Sequence, residues 1–125
     1  MTDKRLKFFD KDPIPWTGQY ALQDFYKTLF QLHATNPALR GGDPAVTTHR
    51  ITTSDDAHIF AYLRKNGANE VLVVLNLSSQ NQLRFDITDA RVTGVFKNVF
   101  SAAANDFTSE KSFEMQGWEY LVYQK

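Results

Sequence analysis

The stretch "AHIFAYLRKNGANEVLVVLNLS", residues 57–78, decides the fold. Its first half alternates, with Ile59, Ala61 and Leu63 on one face and larger or polar side chains on the other, as in a β-strand. The unbroken apolar run "VLVVL" that follows is typical of a central strand buried on both sides. Between them, "NGAN" places an Asn-Gly pair where positive φ angles are tolerated. We therefore predict an antiparallel hairpin.

The sequence after this hairpin continues to favour strands. The segments "QLRFDI" (82–87), "VTGVFKNVF" (92–100) and "WEYLVYQK" (118–125) are strand candidates. The segment between the last two, "SAAANDFTSEKS" (101–112), is polar enough to be a loop with one short strand near Phe107. Because no pattern of crossover helices separates these candidates, at least five strands should form an antiparallel β-sandwich.

The segment before the hairpin predicts a helix from Thr17 to about Thr35. Apolar residues recur there at spacings of three, four and three, at Leu22, Phe25, Leu29 and Leu32. Thr17 or Gly18 is expected to cap its start, and Asn36-Pro37 to end it, since proline disfavours helical backbone in the preceding residue. The predicted fold class is thus mainly β, an antiparallel β-sandwich preceded by one N-terminal α-helix.

The predicted helix has more apolar surface than one neighbour requires. Tyr20, Tyr26 and Phe30 lie outside its main stripe and widen the apolar face. Two apolar neighbours are one interpretation, and ordinary core packing is the other. With 125 residues the chain has the size of one domain, which we divide into a loop plus helix over 1–40 and a sandwich over 41–125.

Composition excludes several classes of function. Fourteen Lys and Arg residues balance fourteen Asp and Glu residues, so no net field attracts nucleic acid. The chain has no cysteine, which rules out disulfides and thiolate chemistry. The longest apolar run, residues 71–75, is too short to cross a bilayer, so we expect no membrane span in this segment.

Catalytic and metal-binding patterns are equally sparse. The three histidines lie sixteen and nine residues apart on different predicted elements, which is not a metal-ligand spacing. Asp55-Asp56 is the obvious carboxylate pair, but "TTSDDAH" (52–58) is typical of a turn. No nucleophile elbow or phosphate-binding loop is found in the sequence. We expect no catalytic residue, no cofactor and no metal.

Surface aromatic residues remain as binding candidates. Trp118 and Tyr120 lie two apart on the last predicted strand and should share one face, where flat rings could stack on a sugar. Filling the core or an interdomain contact is the competing interpretation for both residues.

Three segments carry a resemblance to a known family. "FFDKDPIPW" (8–16), "FYKTLFQLHATNPALRGG" (25–42) and "HIFAYLRKNGANEVLVVLNLSS" (58–79) resemble, in order and spacing, the C-terminal region of the α-amylase family of glycoside hydrolases and transglycosidases. The resemblance implies a loop leading into the last helix of a (β/α)8 barrel, followed by the β-sandwich called domain C. It spans residues 5–125 and is strongest from Phe8 to Ser78.

The resemblance implies that the chain begins in mid-protein, just before the last barrel helix. The family's catalytic aspartates and glutamate lie on earlier barrel strands, so none maps onto this sequence. We therefore expect the isolated chain to hydrolyse no α-glucan.

Two functional hypotheses follow. In the first, the chain is a non-catalytic domain that stabilises the barrel of its own parent chain, an α-glucan-degrading enzyme. The expected barrel-contact residues are Phe25, Tyr26, Leu29, Phe30, Phe60 and Tyr62. In the second, it is a module that binds starch or maltooligosaccharides, an α-glucan partner, through Trp118 and Tyr120. Without a barrel to cover its helix, the isolated chain is expected to form a homodimer.

Overall fold

The computed structural model describes residues 18–125 together with Phe9, Lys11, Pro13 and Trp16. Over these residues the chain forms one α-helix, a short 3₁₀-helix and eight β-strands, which confirms the predicted fold class. The elements are α1 (Gln23–Thr35), the 3₁₀-helix (Pro37–Leu39), β1 (Thr47–Ile51), β2 (Ile59–Asn66), β3 (Asn69–Asn76), β4 (Leu83–Asp86), β5 (Val95–Asn98), β6 (Ala104–Asp106), β7 (Ser112–Met115) and β8 (Tyr120–Gln124).

The strands form two antiparallel sheets. The large sheet has the order β1-β2-β3-β8-β5-β6, and β4 pairs with β7 in the small one. The predicted hairpin is confirmed, since β2 pairs with β3 from Ile59 opposite Asn76 to Asn66 opposite Asn69. Gly67 in its turn has φ +60, a left-handed conformation that glycine adopts without steric cost. Strand β3 is central, with β2 and β8 as its neighbours, as its apolar run predicts.

The main core contains side chains from both sheets. Leu72 and Val74 of β3 pack in one cluster with Phe85 of β4 and Met115 of β7. Phe107 is fully buried in that cluster. Its ring meets those of Phe96 and Tyr123 edge-on and stacks on that of Phe113, at centroid distances between 5.2 and 5.6 Å. This aromatic group ties the small sheet to the large one.

A second, smaller cluster places α1 on the outer face of the large sheet. Leu32 of α1 is buried against Ala38 of the 3₁₀-helix, Val71 of β3 and Val122 of β8. The molecule therefore has three layers: α1, the large sheet and the small sheet. Within the described residues, no helix is both long and apolar enough to cross a membrane.

The predicted start of the helix is wrong. The helix begins at Gln23, and Leu22 occupies the cap position with no side-chain hydrogen bond. Gly18, with φ +72, lies five residues upstream, and the Gln23 N–H closes a turn onto the Tyr20 carbonyl instead. Thr17, the alternative cap, and most of the opening loop at 8–16 lie outside the described residues. The predicted end is confirmed, because the chain becomes extended at Asn36.

The short strand predicted near Phe107 is confirmed, and a further strand, β7, was not predicted. Strand β6 occupies Ala104–Asp106, immediately before Phe107, and β7 begins at Ser112. Phe107 follows β6 and is fully buried in the main core, and Phe113 lies within β7 and packs against that core. Packing of these two rings stabilises strands in a polar segment that has little strand propensity of its own.

Candidate functional site

Asp55, Asp56 and His58 make local hydrogen bonds within one turn. The His58 Nδ1 lies 2.9 Å from both carboxylate oxygens of Asp55, within one turn. Asp56 accepts hydrogen bonds from the backbone N–H and the hydroxyl of Thr53, both at 2.9 Å. Asp55-Asp56 is thus a turn, as predicted. In the part of the chain that the structure describes, no group of three His, Cys, Asp or Glu side chains is placed to hold a metal ion.

The most prominent surface feature is a cluster of rings that we call the aromatic face. It consists of Phe25, Tyr26 and Phe30 of α1, Phe100 in the turn after β5, and Tyr120 of β8. The Phe25 ring lies 5.3 Å from those of Tyr26 and Tyr120 and 5.4 Å from that of Phe100. Tyr26 in turn stacks on Phe30 at 6.2 Å. The five rings are therefore continuous.

Much of this apolar surface is open to solvent. Phe30 is 70% exposed, Tyr26 50%, Tyr120 43% and Phe100 38%. Beside them lies an open depression of about 560 Å³, lined by Tyr20, Leu22, Gln23, Tyr26, Lys27 and Phe30. Large contiguous apolar patches are uncommon on isolated soluble domains and usually mark an interaction surface.

Helical spacing explains why α1 has apolar residues on two sides, one packed on the sheet and one exposed to solvent. Phe25, Leu29 and Leu32 recur every three or four residues and are wholly or partly buried on the sheet side. Tyr26 and Phe30 are four residues apart and project from another side of the same helix, where they remain exposed. The excess apolar surface noted in the sequence is thus a second, uncovered stripe.

The large sheet extends the aromatic face toward β2. Phe60 pairs with Leu75, and Leu75 pairs with Tyr120, so the three side chains form a row across the outer face of the sheet. The Phe60 ring lies 5.9 Å from that of Tyr62, and the Arg50 guanidinium lies 5.7 Å above it. Phe60 is 37% exposed. The row joins the β2 aromatics to those near α1.

Of the six expected barrel-contact residues, the structure brings three into ring contact and places two others on the neighbouring sheet surface. Phe25, Tyr26 and Phe30 belong to the aromatic face, and Phe60 and Tyr62 lie at the β2 end of the same outer surface. Leu29 is partly buried. Contact of these residues with a barrel remains a prediction.

Sequence reasoning missed Phe100. Strict alternation along residues 95–100 places it on the same side as Phe96, which is fully buried in the main core. Strand β5 ends at Asn98, however, and the turn that follows directs Phe100 to the outer surface against Phe25. No local pattern in the sequence indicates this change.

The predicted pairing of Trp118 with Tyr120 on one strand face is wrong. Strand β8 begins at Tyr120, and Trp118 lies in the turn before it with φ +61. A left-handed residue breaks the alternation on which the prediction depended. Tyr120 packs edge-on against Phe25 and Phe100, whereas Trp118 is 67% exposed. The two aromatics belong to different surfaces.

Comparison with known proteins identifies the fold. No protein-family model matches the sequence, and no curated protein matches it significantly. Among solved structures, a noncanonic maltogenic α-amylase, AmyB from Thermotoga neapolitana, superposes with a TM-score of 0.74 at 17% identity over 98% of this chain. A mutant of the trehalulose synthase MUTB superposes with a TM-score of 0.60 at 24% identity over 82% of this chain.

The matched region is a minor part of each of these enzymes. This chain covers 30% of the amylase and 17% of the trehalulose synthase. At these identities the similarity establishes the fold: a helix followed by a β-sandwich that also occurs as a portion of larger sugar-active enzymes.

Proposed function

We propose that this chain is the non-catalytic C-terminal part of a larger glycoside hydrolase of the α-amylase type, and that its aromatic face packs against the catalytic (β/α)8 barrel. The observation that supports this most strongly is the continuous, exposed set of rings on α1 and on the outer face of the large sheet. The domain would act by covering and stabilising the flank of the barrel.

The two stripes of α1 fit this role. If α1 is the last barrel helix, as the sequence resemblance implies, its sheet side holds the sandwich through Phe25 and Leu32, and Tyr26 and Phe30 face the barrel strands. Fully burying a side chain of this size contributes roughly 1.5–3 kcal/mol. Burial of a few such residues would therefore supply much of the free energy that holds the domain against the barrel.

In this proposal the residues that cleave or transfer the sugar lie in the catalytic barrel, outside this chain. The family's catalytic positions do not map onto this sequence, and the two superposed enzymes, a maltogenic amylase and a trehalulose synthase, are both much longer than this chain. An α-glucan or a related glucoside is the substrate class that these neighbours suggest for the whole protein. The isolated chain is expected to release no reducing sugar from starch.

The size of the native protein tests this proposal. An antibody raised against the 14.3 kDa chain should detect, in the source cells, a band heavier by at least a barrel of about 250 residues. Detection of a band at 14.3 kDa and no heavier band would contradict the proposal. Competition with the purified chain controls for antibody specificity, since it must abolish the heavier band.

A further inference from the structure

Trp118 is an exposed residue in one of two neighbouring loops at one end of the sandwich. We call residues 77–82, after β3, and 116–119, before β8, the end loops. The Trp118 N–H donates to the Ser78 carbonyl at 3.0 Å, which joins the two loops beneath the exposed ring. This position is separate from the aromatic face, to which Tyr120 belongs.

A buried asparagine fixes the end loops. Asn76 is 1% exposed, and its Nδ2 donates to the carbonyls of Gln80 at 3.0 Å and Gln116 at 2.8 Å. Its Oδ1 accepts from the Ser78 N–H at 3.0 Å. One side chain at the end of β3 thus holds both loops, and through them it fixes the backbone on either side of Trp118.

Close backbone packing adds to this rigidity. A Cβ atom at Gly117 would lie 2.9 Å from the backbone of Ser79, so only glycine fits between the loops. The Gly117 N–H donates to Asn81 Oδ1 at 3.0 Å. The Asn81 side chain is thereby anchored beside Trp118. Its Nδ2 makes no hydrogen bond within the described part of the chain and is free to donate outward.

Most of the exposed side chains in the end loops around Trp118 are neutral and polar. Besides Asn81, the exposed polar members of the end loops are Ser79, Gln80, Gln82 and Gln116. Leu77 is exposed as well and adds apolar surface, and Glu119 is partly exposed. Amide and hydroxyl groups exchange hydrogen bonds with sugar hydroxyls, and a flat exposed indole covers the apolar C–H face of a pyranose ring. A charged ligand would instead require free charged partners, and the one charged side chain of the end loops, Glu119, is partly buried and accepts a hydrogen bond from the Gln116 N–H at 2.6 Å.

We propose that the end loops form a saccharide-binding site in which the Trp118 ring stacks on a pyranose and the Asn81 amide donates to one of its hydroxyls. The choice of a gluco-oligosaccharide as ligand rests on the proposed function. The site itself rests on the geometry of the end loops and is independent of the aromatic face.

Indole resonances of the ¹⁵N-labelled chain provide the test. The sequence has two tryptophans, so two indole N–H signals are expected. On titration with maltoheptaose to millimolar concentration, the Trp118 indole and the Asn81 side-chain amide should shift in a saturable way, and the Trp16 indole should not. Equal shifts of both indoles, or no saturable shift, would overturn the proposal.

Variants define the roles of the two side chains. Asn81→Ala should weaken binding about tenfold, and Trp118→Ala should abolish saturation. Phe30→Ser, a matched change on the aromatic face, should leave the affinity unchanged. Unchanged affinity in both Asn81→Ala and Trp118→Ala would overturn the assignment. Dispersed backbone amide signals in the NMR spectrum establish that each variant is folded.

The test is independent of the proposed function. A native mass of 14.3 kDa would refute that function and leave the result of this titration unaffected.

Discussion

The Phe25 and Phe100 rings stack face to face, with centroids 5.4 Å apart and planes 3° from parallel. Tyr120 meets both rings edge-on, so the three residues link α1, the turn after β5 and the start of β8. Leu32 is the buried residue of α1, and Phe25 is its second anchor on the sheet. The aromatic face therefore attaches α1 to the large sheet and is also exposed to solvent.

Removing the Phe25 ring should loosen the helix. We expect Phe25→Ala to lower the free energy of unfolding by about 1–2 kcal/mol, because its stacking and edge contacts are lost from a half-buried position. Phe30→Ala, on the exposed stripe of the same helix, should cost less than about 0.5 kcal/mol. Urea denaturation of both variants measures the difference. Equal losses would show that Phe25 does not anchor α1.

Asn76 should matter far more than a typical polar residue. Asn76→Ala leaves two loop carbonyls and a backbone N–H without their partner at a buried position, which should cost about 2–4 kcal/mol. Asn105→Ala, which removes one exposed hydrogen bond, should cost less than about 1 kcal/mol. Hydrogen exchange should also accelerate at Ser78 and Trp118 in the Asn76 variant. Unchanged exchange there would contradict the bracing role of Asn76.

Asp89 should make the domain sensitive to acid. Burial raises the pKa of this carboxyl, but the backbone N–H groups of Arg91 and Thr52 and the Arg91 charge outweigh burial and hold the pKa below 3.8. Folding therefore favours the ionised form, whose stabilisation is present above the unfolded pKa and is lost as pH falls through the folded one. In urea denaturation, Asp89→Asn should lose less stability than the wild type on acidification below about pH 5. Parallel pH curves would contradict this.

Sequence patterns predicted the parts of the fold that local chemistry determines. The alternation of Ile59, Ala61 and Leu63 and the turn at Asn66-Gly67 predicted the β2–β3 hairpin, and the apolar run after it predicted a central strand. Helical spacing likewise predicted the main apolar stripe of α1 and placed Tyr26 and Phe30 outside it. In these segments local propensity and tertiary packing favour the same structure.

Tertiary packing decided the remainder. Strand β7, which was not predicted, forms where Phe113 packs against the main core. The outward turn at Phe100 and the positive φ of Trp118 depend on contacts with distant segments, so alternation assigned neither side chain to its observed surface. The aromatic face was accordingly predicted in its helical part and missed where β5 and β8 contribute.

The uncovered aromatic face should drive self-association of the isolated chain. Light scattering should give a mass that rises with concentration from 14.3 kDa toward twice that value. A double variant, Tyr26→Ser with Phe30→Ser, should remain monomeric because its exposed rings are gone. A wild-type mass that stays at 14.3 kDa at every concentration would rule out the dimer.

Hydroxyl-radical footprinting of the native protein, compared with the isolated chain at low concentration, tests the central claim most directly. If the aromatic face packs on a barrel, oxidation of Tyr26, Phe30 and Tyr120 should be several-fold slower in the native protein. Trp118 serves as an internal control and should react equally in both samples in the absence of sugar. Equal oxidation of the aromatic face in the two samples would contradict the proposed docking.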